Sequence, residues 1–200
     1  MKLLYARNSP YARRIRIAIR ELGLQSRVQE TDLDPLAEHL EALLVHGPAG
    51  KVPVLVTDDG VSLCESLIIA RHLDRLCGGR LYPGDAEALD RTLAIEGIAS
   101  ALMDSLFVRA RENRRDAAQR SQSVIDLERT RAGRLYDALE KHVDAFGDRL
   151  HMDVITTVCS LGYADGRHPG DGWRDGHPRL ARWFEDISCR AAMADTAPSF

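Results

Sequence analysis

The most constraining feature of this chain is a change of pattern one third of the way along it. Before residue 78 short apolar runs alternate with helix-length segments; after residue 85 nearly every segment has helical periodicity. Gly78-Gly79 and Tyr82-Pro83-Gly84 separate the two parts, and such a cluster of breakers is where a domain boundary belongs. The spacing therefore predicts an α/β domain over residues 1–78 and an all-helical domain over residues 86–200.

Within the first part, Lys2–Tyr5 reads as a strand. Ser9-Pro10 then opens a helix, serine as N-cap and proline at its first position. Ile15, Ala18, Ile19 and Leu22 recur on one face, with Arg13, Arg14, Arg16 and Arg20 on the other, and Gly23 ends it. A second strand near Val28–Glu30 makes a βαβ start. Pro35, Gly47, Pro48 and Gly50 bracket a weak helix around Leu40–Leu44. Val54–Val56 and Val61–Leu63, joined by Asp58-Asp59-Gly60, read as a hairpin, and Ser66–Leu76 as a helix. Long helices are predicted near 86–112, 121–146, 153–165 and 178–189, with an irregular glycine-rich stretch at 165–178.

Composition narrows the functions open to such a chain. The net charge of −3 argues against a general polyanion binder, and apolar runs of a few residues rule out a membrane span or a signal peptide. Lysine occurs only at Lys2, Lys51 and Lys141, so the other basic residues among the 27 are arginine. Cys64, Cys77, Cys159 and Cys189 form no C-x-x-C pair, and reduced thiols in a cytoplasm are expected. His168, His177, Asp165, Asp171 and Asp175 have no recognised metal-ligand spacing, so no metal is expected. The arginines of residues 109–134 lack interleaved aromatics and read as a solvated, salt-bridged helical pair. No nucleic-acid partner is expected.

Three ordered segments carry a family resemblance. Ser9-Pro10-Tyr11-Ala12-Arg13 resembles the S/C-P-x-x-R turn of serine- and cysteine-type glutathione transferases. Gly50-Lys51-Val52-Pro53-Val54-Leu55 is similar to their G-x-V-P-x-L segment, and Glu65-Ser66-Leu67-Ile68-Ile69 to their E-S-x-x-I element. Ala101-Leu102-Met103-Asp104, Gly162-Tyr163 and Pro169-Gly170-x-Gly172-Trp173 further resemble bacterial GST-like proteins of the YibF type. The resemblance implies a thioredoxin-like N-terminal domain, an all-α C-terminal domain, glutathione as co-substrate and a two-fold homodimer. It implies transfer of the glutathione thiolate to an electrophilic or peroxide acceptor. The alternatives are a non-catalytic interaction module of the stringent-starvation type and a glutathione-dependent thiol-disulfide oxidoreductase, which usually has cysteine where this chain has Ser9.

The resemblance also assigns residues. Ser9 would stabilise the thiolate where a helix start presents free N–H groups and a positive dipole end; the plain alternative is a cap. Val52, before a cis Pro53, would pair with the peptide backbone of glutathione, and Glu65 and Ser66 would receive its γ-glutamyl end. Ser62-x-x-Glu65 offers a competing capping box. His39 and Lys51 occupy positions that reach the glycyl carboxylate, and Tyr11 borders both glutathione and acceptor. Asp104, Phe107, Val108, Arg109 and Arg111 would form the acceptor site across the groove. Cys64 reads as a small buried hydrophobe. One departure is visible: Leu150 stands three residues before Asp153, so the core helix of the second domain lacks the family's Ser/Thr-x-x-Asp box and rests on Asp153 alone.

Overall fold

The computed structural model describes residues 1–33, 39–147 and 149–200. The order is β1 (Lys2–Tyr5), α1 (Pro10–Glu21), β2 (Gln29–Asp32), α2 (Leu40–Leu44), β3 (Val54–Val56), β4 (Ser62–Cys64) and α3 (Ser66–Leu76). Then follow α4 (Ala86–Asn113), α5 (Gln122–His142), α6 (Met152–Arg167), α7 (Pro178–Ser188) and α8 (Ala191–Ala194). The bracketing Pro35 lies outside the described residues. β2 and β4 each sit one or two residues later than their sequence patterns suggest. α5 stops at His142 and continues as a 3₁₀ turn over Val143–Ala145, whereas the sequence predicts one helix to 146. α6 runs three residues into the stretch read as irregular, 165 to 167.

The sheet order is β2-β1-β3-β4, with β1 and β2 parallel and the other pairs antiparallel. Ser9 caps α1: its Oγ accepts the Ala12 N–H at 3.2 Å. At the other end Gly23 takes φ +70°, and the Leu24 N–H reaches the Ile19 carbonyl at 2.8 Å, the closure that a left-handed glycine permits. Asp85 and Ser121 cap α4 and α5 in the same way. No described helix is long and apolar enough to cross a membrane.

α1 lies between the sheet and α6, so it is covered on two sides. Ile15, Ile17, Ala18 and Ile19 are fully buried, each large aliphatic side chain contributing about 1.5–3 kcal/mol through its removal from water. This overturns the two-faced reading of α1, because Arg13, Arg14 and Arg16 are buried too. Each guanidinium is threaded into a specific setting. Arg16 stacks over Tyr5 at 4.3 Å and pairs with Glu30 on β2 at 2.8 Å. Arg14 reaches Ser100 Oγ and Met103 Sδ on α4. Arg13 donates to the Met193 carbonyl at 3.1 Å and lies on Gly162, where a Cβ would stand 2.4 Å from its Nη1.

The linker is fastened to both parts. Asp74 accepts the Leu81 N–H at 2.6 Å, and the Leu81 carbonyl accepts the Met152 N–H at 3.0 Å. At the start of α6, His151 is the N-cap without a side-chain bond, while the buried Asp153 accepts the Val154 N–H at 2.8 Å. Burial raises the Asp153 carboxyl above its ordinary value, against the lowering by that hydrogen bond.

Candidate functional site

Strand register gathers the three sequence segments at one end of the sheet. Leu4 stands opposite Val54, and Val54 opposite Cys64. The chain leaves β1 into the turn that carries Ser9, enters β3 through Val52-Pro53, and leaves β4 into Glu65-Ser66. The Val52–Pro53 peptide bond is cis. Among the described residues, no backbone partner occupies the Val52 N–H or C=O.

Two helix starts face this end. At α1, Ser9 is half-buried, and its cap uses only the hydroxyl's acceptor side; the O–H remains to donate. Cap and donor are therefore compatible roles. At α3, Glu65 adopts φ +67°, a conformation uncommon for a side-chain-bearing residue and one that concentrates at functional sites. Ser66 is the first helical residue and is buried. Ser62 lies in β4, so the competing Ser62-x-x-Glu65 box does not form. His39 and Lys51 are exposed, His39 at the start of α2.

Across the groove, Tyr11 ties the two parts together. Its hydroxyl donates to Asp104 Oδ1 at 2.6 Å, and its ring meets Phe107 edge-on at 5.5 Å. Burial first, and the Asp104 carboxylate second, push the Tyr11 hydroxyl far above its ordinary pKa, so it stays protonated. Asp104, Phe107, Val108 and Arg111 fall at i, i+3, i+4 and i+7 along α4, one continuous stripe.

Arg109 is not part of that stripe. It is 1% exposed and points into the helical domain, where Nε donates to His168 Nδ1 at 3.2 Å and Nη2 pairs with Asp171. His168 in turn donates from Nε2 to the Leu106 carbonyl at 2.9 Å. Burial holds the His168 imidazole below its ordinary value, consistent with a neutral ring that donates at one nitrogen and accepts at the other. The reason is angular: a residue one or two places off the 104/107/108/111 stripe faces inward on a 3.6-residue helix. The glycine-rich stretch is thus pinned by ion pairs, Arg109–Asp171 and Arg174–Asp165 among them. A separate cavity of about 630 Å³ lies there against α5, and none of the sequence-predicted glutathione or acceptor residues lines it.

Some residues at the site went unassigned in the sequence. Asn8, Pro10, Arg13, Cys159, Tyr163 and Pro198 line a crevice with Ser9. Asn8 clasps the chain's last residues: its Nδ2 donates to the Ser199 carbonyl at 2.6 Å and its Oδ1 accepts the Ser199 N–H at 2.8 Å. Arg13 Nε and Nη1 are buried without a partner among the described residues, while Nη2 keeps the Met193 carbonyl. Burial drives the Cys159 thiol to about 11, so it is neutral there. Gly162-Tyr163 and the Ser9-Pro10-x-x-Arg13 turn were the local signals for this wall.

Two family models, for the N-terminal and C-terminal domains of glutathione S-transferase, match residues 8–76 and 116–186. The uncharacterized GST-like protein YibF of Escherichia coli is 31% identical over 202 residues, covering 99% of this chain and 98% of its own. A glutathione transferase family member from Pseudomonas fluorescens, solved with bound glutathione, is 32% identical with a TM-score of 0.92 over 100% of this chain and 99% of that one. A structure from the same species holds S-(propanoic acid)-glutathione, with a TM-score of 0.88 at 31% identity over 100% of both chains. A glutathione S-transferase from Methylobacillus flagellatus with glutathione bound gives 0.90 at 27% identity, over 99% of each chain. With both domains matched and a relative aligned along nearly its whole length, the chain belongs to the glutathione S-transferase family.

Proposed function

We propose that this protein binds glutathione on residues 1–78 and presents its thiolate from Ser9 to an electrophilic or peroxide acceptor held against residues 86–200. The observation that carries this reading is the meeting, at one end of the sheet, of the Ser9 turn, Val52-Pro53 and the Glu65-Ser66 helix start. Ser9 supplies an O–H donor beside the first N–H groups of α1. A sulfur anion there is favoured over the thiol by the donor and by the helix dipole together. The buried Arg13 guanidinium beneath the turn, with Nε and Nη1 unpartnered among the described residues, adds positive potential to the same place.

Each end of the tripeptide has a matching group. Val52 offers its backbone N–H and C=O to the cysteinyl unit as an added strand edge. Ser66 and the N-terminus of α3 receive the γ-glutamyl carboxylate, and Glu65 its ammonium. His39 and Lys51 serve the glycyl carboxylate. On the acceptor side stand Tyr11, Asp104, Phe107, Val108 and Arg111; Arg109 is withdrawn from this set because it faces the core. The bound conjugate of the Pseudomonas fluorescens relative, a glutathione carrying propanoic acid on sulfur, has the form of a product of such a transfer.

The working unit on this reading is a homodimer in the cytoplasm, with the exposed Leu67 and Ile68 of α3 in the contact. Titration calorimetry with glutathione tests the binding. Saturable heat that is reduced by Ser66→Ala and by Lys51→Ala is expected, and no heat at millimolar glutathione overturns the reading.

A further inference from the structure

Residues 196–200 fold back onto the Ser9 turn and are fixed there by successive contacts. Thr196 is fully buried, and its hydroxyl donates to the Ala192 carbonyl at 2.8 Å. Pro198 lines the crevice with Ser9, Arg13 and Tyr163. Ser199 is held through both its backbone groups by the side chain of Asn8, the residue before Ser9. Phe200 meets Tyr163 edge-on at 5.7 Å, and the Arg167 guanidinium stands 4.4 Å over its ring.

α6 is shaped to admit this segment. Gly162 and Gly166 lie about one turn apart on it, and each leaves room where a side chain would intrude. A Cβ on Gly162 would meet Arg13, and a Cβ on Gly166 would overlap the Phe200 ring. Glycine weakens a helix interior relative to alanine, so both seats are kept at a cost to α6. Fold stability alone does not call for the second seat, because the ring that fills it stays 46% exposed. The ring is thus anchored on one part and open on the rest, one residue from the clasp on the Ser9 turn.

We propose that residues 198–200 wall the acceptor site and that Phe200 is a specificity-determining residue, favouring acceptors that place a flat aromatic ring on the glutathione sulfur. The proposal rests on the glutathione reading above. Its physical sense is that a ring carried by the sulfur covers the open part of Phe200 and pairs with it edge-on or offset, an arrangement worth more than the area it buries. A small aliphatic group on the sulfur leaves Phe200 wet and gains no such pairing. The Asn8 clasp holds Phe200 close to the Ser9 turn, so the ring is in place before the ligand arrives and its ordering is not subtracted from binding.

The test titrates the full-length protein by calorimetry with glutathione, S-methylglutathione and S-benzylglutathione, and repeats the series with Phe200→Ala and Gly166→Ala. In Gly166→Ala the ring is intact but its seat is filled. The benzyl conjugate is expected to bind the wild type at least about threefold more tightly than the methyl conjugate, the value of one aromatic pair, and this preference to shrink by a similar factor in both variants. Because each ratio is taken within one protein, a general loss of stability does not move it. Equal affinity of the two conjugates for the wild type, or a preference unchanged in either variant, overturns the proposal and leaves glutathione binding standing. Heat from none of the three ligands refutes the glutathione reading, and this proposal with it.

Discussion

Replacing Ser9 separates its two roles, because the structure assigns them to different sides of one oxygen. The lone pair accepts the Ala12 N–H at 3.2 Å, and the O–H is left for the sulfur of bound glutathione. Ser9→Ala removes both. Losing the cap destabilises the fold by about 0.5–2 kcal/mol, a melting shift of roughly 2–4 °C per kcal/mol for a chain of this size. Losing a donor to a charged sulfur costs about 1.5–3 kcal/mol, so the bound thiol's pKa rises by roughly 1–2 units at about 1.4 kcal/mol per unit. Ser9→Gly isolates the second effect, since glycine at an N-cap costs only a few tenths of a kcal/mol. Ser9→Asp retains the cap and sets a carboxylate beside the sulfur, so stability is kept while the thiol pKa rises further. The assay is ultraviolet titration of thiolate in the glutathione complex, with thermal melting of each variant alongside. A thiol pKa in Ser9→Gly equal to wild type, whatever the melting temperatures, refutes the assignment of the O–H to thiolate stabilisation.

Further outcomes follow from other parts of the structure. Burial alone would raise the Glu30 carboxyl, but hydrogen bonds from Arg20 and Arg16 override it and hold its pKa below the ordinary value. A lowered folded pKa gives stability that is complete above the unfolded value of about 4.3 and is lost as pH falls below it. Glu30→Gln should cost about 3 kcal/mol at neutral pH and flatten acid denaturation in that window, as read by urea melts across pH. Asp153 has the opposite sign. Its raised folded pKa makes wild type gain stability over Asp153→Asn as pH falls through that value, and a difference independent of pH between 7 and 4 would count against its burial as an ion. Asn8→Ala removes both hydrogen bonds to Ser199 and should speed amide exchange at residues 196–200; unchanged exchange there contradicts the clasp. Ile68, 56% exposed on α3, tests the dimer: light scattering should find dimers for wild type and monomers for Ile68→Asp.

Much of the fold was legible because its signals are local. Ser9-Pro10 and Gly23 mark the ends of α1 by requirements that one residue meets alone: a side-chain acceptor, a fixed φ, and a left-handed backbone. The Asp-Gly hairpin and the breakers at 78–84 are of the same kind. The grouping of the Ser9 turn with Val52-Pro53 and Glu65-Ser66 was legible only through family resemblance. What joins those segments physically is the pairing of Leu4 with Val54 and Val54 with Cys64, contacts spanning up to fifty residues.

Tertiary structure decided which way the arginines face. Periodicity assigns Arg13, Arg14 and Arg16 to a polar side of α1, yet α8 and α6 cover Arg13, α4 covers Arg14 and the sheet covers Arg16, so each guanidinium is buried in its own setting. Likewise, residues 109–134 read as a solvated basic run, but the helix turns Arg109 inward to His168 and Asp171 and leaves Arg111 and Arg114 exposed. A sequence records charge and helical phase, both of which are local. Whether a given face meets solvent, a carboxylate or another helix depends on elements far along the chain, so the burial of Arg109 and of the α1 arginines was fixed only by packing.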